Sequence, residues 1–112
     1  MNPRREALLW VAQRATAVVL AFCVLVHLAT IIYAVRGGLS AAEILGRTRG
    51  SVAWAAFYVL FVVAVAIHGA IGLRAVAAEW LGLRGKSAEW LMTGVGCALA
   101  VMGLRAVVAV FG

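Results

Sequence analysis

Three apolar runs fix what this chain can fold into. They extend from about Ala15 to Val35, from Val52 to Leu73 and from Trp90 to Phe111. Each reaches the ~20 residues that a helix needs to cross a bilayer. A single span in lipid finds no water for its peptide groups, so it must be a helix, which bonds them internally. The one proline, Pro3, precedes the first run and kinks nothing. Composition agrees, because 66% of the 112 residues are hydrophobic and 12% charged, whereas a soluble domain keeps a more polar surface. The first run is too long for a signal-peptide core and lacks a small-residue cleavage site, so it reads as a span. The expected fold class is an all-α membrane protein, residues 1–112 forming one domain of three transmembrane helices at about 8–35, 52–79 and 88–111. So small a unit buries little by itself, so partner helices are expected beside it.

Local signals mark the ends. Ser51 reads as the N-cap of the second span, and Ser87 as that of the third, with Glu89 in the first turn at the positive end of the helix dipole. Gly37 and Gly38 end the first helix. Ser40-Ala41-Ala42-Glu43 has the form of a capping box, which predicts a short interfacial helix over about 40–46. Trp10, Trp54, Trp80 and Trp90 all stand at span ends, as in an aromatic belt.

The net charge of +6 lies between the apolar runs, beside lipid headgroups, and not in a stripe that would follow a nucleic acid. Nucleic acid is therefore excluded as a partner. Arg4, Arg5, Arg14, Arg74, Arg84 and Lys86 fall on one side, against Arg36, Arg47 and Arg49 on the other. This bias predicts the N-terminus inside and the C-terminus outside. Cys23 and Cys97 lie within spans and read as small packing residues. Gly94 with Ala98, and Gly96 with Ala100, are small-xxx-small pairs, for packing within the unit or against a second subunit.

Against this background the ionisable residues inside spans carry the functional signal. His68 is the first. Ala64, Gly72 and Ala75 fall within roughly 40° of its direction on the helix, and Val65 and Ile71 stand to either side at roughly 60°. Small residues between branched ones leave a slot beside the imidazole, such as a haem ligated by that ring requires. The other reading is a histidine bonded to a neighbouring hydroxyl or carbonyl. His27, the second candidate, has Cys23, Val24, Thr30 and Ile31 around it, and Thr30 is placed to orient its ring. At helical rise His27 lies roughly 18 Å from the inner end of its span and His68 roughly 8 Å. The two are not expected to share an iron. Each would need a partner histidine from another chain, which permits an inner haem at His68 and an outer one at His27. Arg105 lies inside the third span near the depth of His27, either to meet a haem propionate or to snorkel outward. Arg14, Gln13 and Trp10 stand at the inner mouth, where they would hold a quinone head or simply anchor the helix. Arg74 reads as a lipid-surface anchor.

The stretch His68-Gly69-Ala70-Ile71-Gly72-Leu73-Arg74, followed by Glu79, resembles the second-helix motif of the succinate dehydrogenase and fumarate reductase cytochrome b anchor subunits, His-x-x-x-Gly-(Ile/Leu)-Arg-His-x-x-x-Asp. Gln13-Arg14-Ala15-Thr16-Ala17, with His27-Leu28 later, is similar to the first-helix pattern His-Arg-x-Ser/Thr-Gly. The departures are Ala75 at the second histidine, Glu79 at the aspartate, Gln13 at the histidine before the arginine, and Trp10 at a serine. The resemblance implies that His68 ligates haem b and that Arg14 lies near the quinone and the propionates. A histidine in the first span, here His27, is a feature of two-haem members. It also implies a flavoprotein subunit, an iron–sulfur subunit and a second anchor chain, either another copy or a different subunit, in a bacterial inner membrane. The function expected is passage of electrons between the iron–sulfur subunit and membrane quinone, with the dicarboxylate chemistry on the flavoprotein. The rivals are a haem-free structural anchor and a small transporter. The latter is disfavoured because Glu6, Glu43, Glu79 and Glu89 all lie at or beyond span ends.

Overall fold

The computed structural model describes residues 2–112. It contains α1 (Pro3–Arg36), α2 (Ala41–Thr48), α3 (Val52–Leu81) and α4 (Lys86–Phe111). Three of these, α1, α3 and α4, are long and apolar enough to cross a membrane, and α3 is the central helix, packed against both α4 and α1. The unit is 50 Å long and 24 by 22 Å across, a length that covers a bilayer with its headgroup layers.

The helix limits follow from their caps. α1 begins at Pro3, before the expected Leu8, because the Asn2 side chain accepts from the Arg4 amide and proline fits the first turn, where no N–H is needed. Ser51 caps α3 by accepting from the Trp54 amide at 3.2 Å, and Ser40 and Glu43 form the reciprocal capping box of α2. The expected Ser87 cap is not used. α4 starts two residues earlier than expected, at Lys86 after Gly85, whose φ of 72° suits glycine, and Ser87 lies inside the first turn. α2 runs on to Thr48, where it meets the far end of α4. The Thr48 hydroxyl donates to the Val110 carbonyl at 2.8 Å, and the Gly50 amide donates to the Phe111 carbonyl at 2.9 Å.

The interior is built from small residues. The buried side chains are Cys23, Ala64, Ala66, Ala70, Ala77, Ala88 and Val107, while Val18, Phe22, Leu25 and many other large side chains face outward. Lipid is as apolar as leucine, so nothing drives large side chains inward, and helices gain by close approach. Gly96 lies against α3, where an added Cβ would sit 3.4 Å from the Ala70 Cβ, and Gly103 lies against Val62. Gly94 would meet nothing within 4 Å. Of the two expected small-residue pairs, the glycine of one therefore packs inside the unit and that of the other faces away from it. Trp10, Trp80 and Trp90 are exposed, whereas Trp54 turns inward and stacks on Tyr58 with ring centres 5.8 Å apart.

Candidate functional site

α3 carries His68 on the side that faces α1, half-buried and opposite Thr16. The Thr16 hydroxyl lies 3.2 Å from His68 Nδ1, 2.7 Å from the Ala12 carbonyl oxygen and 3.1 Å from that of Gln13. Nε2 of His68 has no hydrogen-bond partner among the described residues. The two sequence readings of this histidine, hydroxyl partner and cofactor ligand, are therefore compatible, because they use different ring nitrogens.

The slot expected beside Gly72 is taken up by α1. A Cβ built on Gly72 would lie 3.3 Å from Gln13 Nε2, so the missing side chain makes room for the Gln13 amide. The other amide atom, Oε1, is buried without a hydrogen-bond partner among the described residues. An orphaned polar atom against Gly72, one helical turn from His68, marks a place where the hydrogen bonding of the chain alone is incomplete. Ala64, the other small neighbour, is buried, and Ala75 is exposed.

At the same end of the bundle, Arg74 is an interhelical clamp rather than the expected lipid-surface anchor. Its guanidinium lies 3.4 Å from a Glu6 carboxylate oxygen on α1 and 3.3 Å from one of Glu89 on α4, and only 15% of its side chain is exposed. Arg5 also pairs with Glu89. Two acids and two arginines thus join all three spans at the end nearest His68. The sequence supplied every charge but not the pairing, because Glu6 and Glu89 lie far from Arg74 along the chain.

Arg14 and Trp10 come together, the guanidinium 5.2 Å from the ring centre, on the exposed face of α1. Gln13 turns from them toward α3. The expected trio is thus divided between two faces of one helix.

His27 occupies a separate place. From Thr16 it is eleven residues further along α1, about 16 Å at helical rise. Its ring stands edge-on to Tyr58 and Phe61 of α3, at 5.7 and 5.6 Å. It lines a cavity of about 660 Å³ under α2, with Thr30, Tyr33, Arg47, Thr48 and Tyr58 among the polar walls. Thr30 does not orient the ring, since its hydroxyl donates to the backbone carbonyl of His27 at 2.6 Å. The bond from residue i to i−3 satisfies the threonine locally, which in a helix competes with longer reach. Arg105 is exposed on α4 with Val101, Leu104, Val108 and Ala109, and shares no wall with the His27 cavity. Thr16, Tyr58, Phe61 and the Arg5, Glu6 and Glu89 charges are the site residues that sequence reasoning did not single out.

No three of His, Cys, Asp and Glu converge among the described residues, so what the chain offers a metal at either place is one imidazole. Fold and site together define a three-helix membrane subunit that presents single histidines at two levels. Residues 1–104 match the model of the succinate dehydrogenase/fumarate reductase transmembrane subunit family, and the chain belongs to that family. No curated protein and no solved structure matches the chain significantly.

Proposed function

We propose that this chain is a haem b-binding anchor of a succinate:quinone or quinol:fumarate oxidoreductase, with His68 as an axial ligand of the iron. The observation that carries the reading is the His68 ring itself, bonded through Nδ1 and unengaged at Nε2. The donor chemistry fits haem, whose iron takes one neutral imidazole nitrogen from each side. The chemistry that haem b supplies when bound is a one-electron iron couple between an iron–sulfur subunit and membrane quinone. His68 binds and orients, while Gln13, with its buried and unpartnered Oε1, stands beside the place where that group or a quinone would complete the hydrogen bonding. A second histidine for that group would have to come from another anchor chain, since His27 is about 16 Å away along α1.

His27 is proposed as the ligand of a second haem at the other level, facing the cavity under α2. Arg105 faces away from the bundle, so it reaches a propionate only of a haem held between this chain and its partner. Arg14 and Trp10 are placed for a quinone head on their exposed face. The clamped end, with Arg5 and Arg74, is proposed to lie on the inner side of a bacterial cytoplasmic membrane, a reading that the excess of positive charge at that end supports.

Affinity purification through a tag on this chain tests the reading. A flavoprotein and an iron–sulfur subunit are expected to co-purify with a second anchor chain and two haems b per complex, one of them lost in His27→Ala. A tagged chain that brings down neither subunit defeats the anchor assignment. One haem, unchanged in His27→Ala, removes only the second site.

A further inference from the structure

We propose that Thr16 is the positioning residue of the His68 site, holding the imidazole in the tautomer that carries its proton on Nδ1. The inference rests on the reading of His68 as an iron ligand and adds the group that makes it one. A threonine hydroxyl has one proton and two acceptor lone pairs. That proton is committed, because the oxygen lies 2.7 Å from the Ala12 carbonyl and 3.1 Å from the Gln13 carbonyl, and carbonyl oxygens only accept. What Thr16 presents to His68 Nδ1 at 3.2 Å is therefore a lone pair. Nδ1 must be the donor. A neutral imidazole carries one N–H, so Nε2 keeps its lone pair and is the nitrogen able to bind iron.

The geometry adds two consequences. The bond from Thr16 back to Ala12 fixes the hydroxyl on α1, so it is a fixed acceptor rather than a free rotor. The ring on α3 is then aimed by α1, across the interface that Gly72 keeps close by admitting Gln13. An acceptor on Nδ1–H also makes the ring a stronger donor to a metal, and such outer partners are typically worth on the order of 10-fold or more in metal affinity. A stronger donor favours ferric over ferrous iron.

The test uses the purified complex. Thr16→Val keeps the branched shape and removes the acceptor, whereas Thr16→Ser keeps the hydroxyl. In Thr16→Val the haem that depends on His68 is expected to remain but to bind on the order of 10-fold more weakly, with its midpoint potential raised. Thr16→Ser is expected to restore both. Thr16→Ala, which lacks the acceptor but favours the helix, is expected to raise the potential in the same way and serves if the valine variant does not assemble. A purely structural threonine would leave the potential unmoved, or would shift it equally in the serine and valine variants, and either outcome overturns the proposal. His68→Ala is measured alongside. If that variant keeps all its haem, the ligand reading fails. If it loses haem while Thr16→Val and Thr16→Ala match the wild type, only the role of Thr16 fails.

Discussion

Gly103→Leu is expected to prevent α3 and α4 from packing, so that no assembled complex is recovered from the membrane. An added Cβ at Gly103 would sit 2.5 Å from Val62 Cγ1, 2.7 Å from Cγ2 and 3.1 Å from Cβ. Valine cannot yield by changing rotamer, because its branched Cβ leaves one favoured χ1 in a helix. The helices must therefore part, and α3 loses the close alanine contacts at Ala66 and Ala70 that hold it to α4. Gly103→Ala separates the effects. Alanine gains about 1 kcal/mol over glycine in a helix interior, whereas overpacking costs about 1–3 kcal/mol. The net is a lower melting temperature for the complex. Gly94→Ala is the control, since nothing lies within 4 Å of its new Cβ, and it is expected to leave the melting temperature equal or higher. A Gly103→Ala complex that melts with the wild type would mean that α3 and α4 do not meet at Val62.

What the sequence disclosed and what it withheld divide along one physical line. Lipid forces every span to be helical, so run length located α1, α3 and α4, and Ser40, Glu43 and Ser51 supplied cap chemistry that needs only local geometry. The rotation of each helix about its axis was not legible. A span that is apolar all round has no polar face to turn outward, so nothing in its pattern shows which side meets a neighbour. The partner of His68 depends on that rotation, so the sequence assigns Thr16 no role at His68 although it stands at the Ser/Thr position of the first-helix pattern. Gly72 reads in sequence as room for a flat ring, and in the structure Gln13 lies against it. Arg74 reads as a lipid-surface anchor in sequence because its acidic partners are distant along the chain. His27 shows the converse. That it lies at another depth than His68 is readable from helical rise. The span ends imply a difference of roughly 10 Å, and the register of Thr16 on His68 makes it about 16 Å. Its aromatic neighbours Tyr58 and Phe61 are not readable.

The second large effect is that of His68→Ala. The substitution removes the nitrogen proposed to bind iron and leaves Thr16 with its bonds to Ala12 and Gln13, so the helix pair keeps its local satisfaction. Ala64 and Gly72 already make the surrounding face of α3 small, and an alanine adds no clash there. The fold is thus expected to persist while the cofactor is lost, and the Gly103 variants provide the contrast, because they fail in assembly first. A neighbouring imidazole cannot substitute, since His27, the other histidine of the chain, lies about 16 Å away along α1. The decisive measurement is the reduced-minus-oxidised optical spectrum of the purified complex, wild type against His68→Ala, at equal amounts of the flavoprotein and iron–sulfur subunits. The wild type is expected to show the haem b held by His68, and the variant to lack it while keeping the haem proposed at His27. A His68→Ala complex with an undiminished spectrum would contradict this expectation.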